Sequence, residues 1–340
     1  MAVSKGKLVG TIAAIVLLAL ICAYLDLAWI SSTRSYSLVE VLNTLLGHGT
    51  WGSEIIINRT NAPRVVIGMV VGMGLAISGS AMQAVFRNPL ASPYILGLSS
   101  GASVGAAVSM LFAIPLIPIA IATPFLAFVT CAITMVLVYT MSRVGGTVRT
   151  ETLILSGVAV SSLLSAIVSF LTFIAGDKLE GIVFWTMGSL GNATWNQIAF
   201  AAPIVLICSI LLVMQAKPLN AMMLGDIHAM DLGIDVRKTR LLVLIYTTVI
   251  VATAVSFVGV IGFVGLVIPH MLRIVLGPDN RVIMPMSMVA GASFLVICDY
   301  LTRIVAPQYG VLPIGVVTAL IGAPVFIYLL IRKKKEVGWN

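Results

Sequence analysis

The sequence predicts an all-α polytopic membrane protein, one transmembrane domain over residues 1–340 with about ten helices and an inverted internal repeat. Three observations carry this. Apolar residues make up 60% of the chain and charged residues 9%, against the roughly 25% charge of a soluble domain. No Asp, Glu, Lys or Arg occurs in 88–142, 152–176, 181–216, 241–272 or 304–331, and each run is long enough to cross a bilayer, which takes about 20 residues of helix. The basic residues, finally, concentrate in alternate loops.

Division of the apolar stretches at Gly, Pro and polar clusters places spans near 8–28, 65–86, 94–112, 117–141, 152–174, 195–214, 241–258, 261–275, 282–302 and 312–331. The first follows Lys5 and Lys7 and could be read as a signal peptide, but its apolar stretch is long for one, so it reads as an uncleaved helix. With the N-terminus inside, the inner loops hold Arg87, Arg143, Arg149, Lys217, Arg237, Lys238, Arg240, Arg273 and Arg281. Together with Lys5, Lys7 and the tail Arg332, Lys333, Lys334 and Lys335, these are 15 of the 20 basic residues. Cationic loops stay on the cytoplasmic side, so both termini are expected in the cytoplasm and the protein in the cell membrane.

Between the sixth and seventh spans runs the longest inner loop, Lys217 to Arg240. Its apolar residues Leu219, Met222, Met223, Ile227 and Met230 recur at helical spacing, while Gly225 and Gly233 interrupt it. Two short surface helices follow, able to dock a soluble partner or to rest on the headgroups as an amphipathic connector.

Two stretches share a layout: an Arg-led apolar helix, a Gly-containing break, then a short Pro motif. The first runs from Arg64 through Gly79 to Asn88-Pro89, the second from Arg240 through Gly262 and Gly265 to Pro269-His270. Five spans separate them, an odd number, so the two would lie inverted, as in many transporters. Gly68, Gly72, Ala76 and Ser80 form a four-residue stripe, and Gly101 and Gly105 another, both suited to close helix packing.

Several blocks stand in order along the chain: Pro63-Arg64, Ser78-Gly79 with Gln83, Arg87-Asn88-Pro89-Leu90-Ala91, Trp185-Thr186-Met187-Gly188-Ser189-Leu190, and Leu224-Gly225 with Ala229 and Leu232-Gly233. Gly262-Phe263-Val264-Gly265-Leu266, Pro269-His270 with Arg273, Leu312-Pro313-Ile314-Gly315 and Gly322-Ala323-Pro324 complete the set. Together they resemble a known family, the FecCD-type permeases for ferric siderophores, haem, cobalamin and related chelates.

The resemblance implies a dimer with a second copy or close relative, two cytoplasmic ATPase subunits carrying ATP and Mg, and an extracytoplasmic substrate-binding protein. It further implies ATPase coupling through Leu224, Gly225, Ala229, Leu232 and Gly233 within coupling helices at about 217–236. Arg64 and Arg303, helped by Arg59, would dock the binding protein; the other reading has Arg64 and Arg303 marking helix ends near the headgroups. The family's second arginine is replaced here by Asn61. Asn88, Leu90, Thr150 and Glu151 would form the inner gate, with N-capping as the alternative role of Thr150.

Other signals fall away. The net charge of +8 resides in topology-setting loops, not in a nucleic-acid face. Cys22, Cys131, Cys208 and Cys298 lack metal-ligand spacing, and no catalytic, metal or cofactor site is expected. Gly97-Leu98-Ser99-Ser100-Gly101 matches a nucleophile elbow, but in a helical, charge-free region. No G-x-x-x-x-G-K-[ST] loop is present, so energy comes from another chain or, as the rival reading, from the ion gradient of a secondary transporter. Buried acids are the requirement of that rival, and Asp26 and Asp299 at the outer span ends are the nearest to one, Asp299 lying four residues from Arg303.

Overall fold

The computed structural model describes residues 5–31, 34–112, 117–144, 147–305 and 307–337. The side chains of Lys5, Lys7, Arg34 and Arg332 to Lys335 lie outside what it describes. Ten membrane helices follow the predicted spans: α1 (Lys5–Ala28), α3 (Ala62–Val85), α4 (Leu98–Leu111), α5 (Ile119–Met141), α6 (Thr150–Phe173), α8 (Trp195–Met214), α11 (Val236–Val258), α12 (Val264–Leu276), α13 (Asn280–Ile304) and α14 (Ile314–Val337). Shorter helices join them: α2 (Leu38–Leu45), α7 (Leu179–Met187), α9 (Ala216–Met223) and α10 (Asp226–Asp231). Seven of the ten are long and apolar enough to cross a bilayer by themselves. The apolar parts of α4, α12 and α14 are shorter.

Local chemistry sets the helix ends. Ser37 and Glu40 form a reciprocal capping box at the start of α2, and Thr194 and Gln197 form one at α8, each satisfying two orphan backbone donors. Asp235 caps α11 by accepting from the Lys238 N–H. At α6 the capping position is Arg149, without a side-chain bond. Thr150 is therefore the first helical residue and not the cap, and it is the Thr152 hydroxyl that reaches back, to the Ser142 carbonyl at 2.8 Å.

The centre of the bundle is α3, of which 83% of the spanning window is buried, against 17% for α6. It packs on α8, α11, α12 and α13, and its glycines explain how. A Cβ on Gly72 would strike the Gly291 backbone of α13, and one on Gly79 the Gly265 backbone of α12. The predicted stripe thus brings helix axes together. The Gly101 and Gly105 stripe does the same for α4 against Thr130, Thr134 and Leu126 of α5.

The two Arg-led helices both end in a break. After α3 the chain turns through Asn88 and a 3-10 segment, Pro93–Leu96, before the short α4; after α11 it turns at Gly259 to Phe263 before the short α12. Phe263 is held at φ 67°, a left-handed conformation that costs a bulky residue about 1 kcal/mol or more. The breaks touch: the Tyr94 hydroxyl donates to the Ile261 carbonyl at 2.9 Å, and the Gln83 amide to Leu266 at 3.1 Å. Backbone groups freed inside the bundle are thereby paired, as a low-dielectric interior demands.

Candidate functional site

Ionisable side chains gather at the two ends of the bundle, and each gathering is built around an arginine at the start of an Arg-led helix. The distribution of basic loops leads to the expectation that the end bearing α9 and α10 faces the cytoplasm, and the two ends are called inner and outer on that expectation. At the outer end Arg64 donates from Nε and Nη2 to the two Asp299 oxygens at 2.5 and 2.7 Å, and to the Thr302 hydroxyl at 3.1 Å. Arg303 donates to Asn61 Oδ1 at 3.0 Å and lies 3.3 Å from Asp26 and 3.8 Å from Asp299. Asn61 in turn donates to the carbonyls of Leu27 and Trp29 at 3.0 and 2.8 Å. All four ionisable groups are buried, two acids and two arginines, so α1, α3 and α13 are tied by a cluster out of water.

Arg64 and Arg303, expected at the docking face, are thus paired within the chain. Both guanidinium groups are turned inward to carboxylates, because a charge at this depth must be paired. The predicted Asp299–Arg303 i,i+4 pair exists, but Arg64 is the closer partner of Asp299. Arg59, in a π-helical stretch Glu54–Asn61 that runs straight into α3, is exposed.

The inner end is wetter. Leu224 and Gly225 separate α9 from α10, with Gly225 at φ 128° and Gly233 at φ 79° beyond α10, so the predicted two short helices form with glycine at each bend. Of the expected coupling residues, Leu224 and Leu232 are 71% and 67% exposed, together with Ile227 and Met230. Ala229 is fully buried and holds α10 against Leu219, Met222 and Val236; it anchors the element and does not form its outer face.

Asp226 opens α10. One of its oxygens accepts from Arg87, the residue after α3's final turn, and the other from Arg240 of α11 at 2.9 Å. Arg240 also donates to the Val148 carbonyl at 2.7 Å, in a hairpin where Arg143–Val144 pairs with Thr147–Val148 ahead of α6. A cavity of about 920 Å³ lies between these elements, and Thr150 and Glu151 line it with Leu224, Gly225 and Asp226. Two of the four expected gate residues therefore share a cavity with the coupling segment. Asn88 instead makes a local turn, its side chain accepting from the Leu90 N–H at 2.9 Å, with Leu90 exposed.

Two further anchors were not read from sequence. Arg273 of α12 donates to the Ser80 carbonyl at 3.1 Å and to Asn280 at 2.9 Å. Asn220 of α9 donates to Asp279 at 2.6 Å and accepts from the Asn280 N–H at 2.8 Å. Hydrogen bonds from Arg281 hold the Asp279 carboxyl down at about 2. A Pro-Asp-Asn turn facing a polar residue of the short α9 was the available signal. No group of three potential metal ligands occurs among the described residues, and the four cysteines are free.

The FecCD transport family model matches residues 13–332. The cobalamin import permease BtuC of Halobacterium salinarum is 42% identical over 278 residues, 82% of this chain and 74% of that protein. The hemin transport permease HmuU of Yersinia pestis is 38% identical over 306 residues, 89% and 90% of the two chains. A solved metal-chelate type ABC transporter in an inward-facing conformation superposes with a TM-score of 0.83 at 31% identity, over 94% of this chain and 98% of that one.

Proposed function

This chain belongs to the FecCD transport family and is a permease subunit of an ABC importer, and from that premise we propose that its cargo is a metal chelate, a ferric siderophore, haem or cobalamin. The observation that carries the mechanism is the inner face of α10 and its neighbours, where Leu224, Ile227, Met230 and Leu232 stand exposed beside the cavity. An apolar patch on a short, glycine-bounded helix outside the membrane is suited to burial in a protein groove. We assign it to a cytoplasmic ATPase, two of which would serve a pair of permeases, with ATP and Mg bound there and not in this chain.

The cargo path runs beside α6. Its open face bears Ser162, Ser165 and Ser169 among apolar residues, hydroxyls that lipid alone does not require. The path lies between two copies of this chain or this chain and a close relative. Thr150, Glu151, Asn88 and Leu90 stand at its inner mouth. An external binding protein delivers the chelate to the outer mouth, where Arg59 is the arginine open to it among the described residues, while Arg64 and Arg303 keep the helix ends in register. Both termini are cytoplasmic. Ion-coupled transport fits less well, since its two nearest acids, Asp26 and Asp299, are engaged with arginines.

Reconstitution tests this reading. With this chain, its ATPase and its binding protein in proteoliposomes and ion gradients collapsed, uptake of ferrichrome, hemin or cyanocobalamin will require ATP and all three components. Uptake by this chain alone under an imposed proton or sodium gradient would overturn it.

A further inference from the structure

We propose that Asp226 and Arg240 are positioning residues that link the ATPase-facing helix to the inner mouth of the transport path. The inference rests on the assignment of α10 to the ATPase and names the bonds through which α10 moves the mouth. Asp226 is the first residue of α10, immediately after the Gly225 bend. Its two oxygens are held by arginines from different helices: Arg87 at the end of α3, and Arg240 in the first turns of α11. Arg240 is itself buried and uses its other terminal nitrogen on the Val148 carbonyl, two residues ahead of Thr150.

The planar guanidinium presents its donors in a fixed fork. The distance between Asp226 and Val148 is therefore set by one rigid group. Elsewhere the cavity separates α10 from Arg149, Thr150 and Glu151, so a shift of α10 reaches the α6 hairpin across this bridge. Arg87 extends the same link to the Asn88 turn, where its backbone sits at φ 48°. The Asp226 carboxylate is 36% exposed, where ion pairs contribute little to stability. The arrangement is thus better suited to transmitting position than to holding the fold, and it joins three elements that must move together when the mouth opens.

The test uses the complete transporter in proteoliposomes, with ferrichrome, hemin and cyanocobalamin as probes. Asp226→Asn loses the charge at the junction; Arg240→Lys keeps the charge but not the fork. Both variants should hydrolyse ATP at close to the wild-type rate while the chelate moved per ATP falls about tenfold, the scale of a typical coupling between sites. A spin label at Ile227 should still change mobility when ATP binds, and one at Arg149 should cease to. Unchanged uptake per ATP in both variants overturns the proposal. So does loss of ATPase association in both, which would assign the pair to assembly. A wild-type complex that takes up none of the three probes with ATP would instead bring down the transport reading beneath it.

Discussion

Arg64 and Arg240 occupy similar places, near the starts of the two helices that lead into the breaks, yet their surroundings differ. Arg64 is sealed with Asp299, Asp26 and Arg303, and every carboxylate in that cluster is buried. Arg240 is equally buried, but its carboxylate partner Asp226 is partly wet, shared with Arg87, and mounted on a helix of six residues. The same guanidinium–carboxylate chemistry makes a permanent clamp when both partners are dry and belong to long helices. It makes a movable joint when one partner sits on a short, glycine-bounded element.

The sharpest way to break this contrast is Arg64→Met. It strands Asp299 and Asp26 beside a single arginine, and loss of one partner from a buried pair costs on the order of 3–5 kcal/mol. Thermal unfolding in detergent should show a large drop in midpoint, far beyond that of Asp226→Asn, which should cost under about 1 kcal/mol. Equal losses would abolish the distinction.

Much of this architecture was legible in the sequence, for particular reasons. Charge-free runs, with the apolar stretches beside them, placed a span over each of the ten helices among the described residues, since a bilayer leaves few other ways to bury so many apolar residues. Gly225 and Gly233 correctly divided the inner loop. The charged junctions were not legible, because Arg64 and Asp299 are 235 residues apart in the chain and local spacing offered Asp299 a nearer partner in Arg303. The inward turn of Arg64 and Arg303 was illegible for the same reason. An arginine just inside an apolar helix must find a carboxylate, and the requirement does not say which one. Ala229 belongs to the coupling motif, and only its packing against Leu219 and Met222 shows that it faces inward.

Helix contact gives the next largest effect. Gly79→Ala drives a methyl into the Gly265 backbone, and overpacking of this kind costs about 1–3 kcal/mol; the unfolding midpoint should fall although alanine is the better helix former. Salt sharpens the contrast between the arginines further. Raising ionic strength from 0.1 to about 1 M shortens the screening length from about 10 to about 3 Å, so the partly exposed Asp226 junction should weaken while the outer cluster does not. Proteolysis near Gly225 as a function of salt would report it.

The smallest effect is acid tolerance. Arg281 and Asn220 lower the Asp279 carboxyl to about 2, below the ordinary value of about 3.9. Its contribution is therefore fully present above about pH 4 and lost as pH falls through about 2. Asp279→Asn should remove that dependence, leaving a flatter unfolding midpoint between pH 4 and 2.

Hydrogen exchange read by mass spectrometry, on the assembled transporter in nanodiscs with and without a non-hydrolysable ATP analogue, addresses the clamp and the joint together. Peptides covering 143–151 and 224–235 should change protection when the nucleotide binds, while those covering 24–28, 61–66 and 297–303 remain unchanged. Equal change at both ends, or change confined to the outer peptides, would contradict the division between a fixed outer clamp and a moving inner joint.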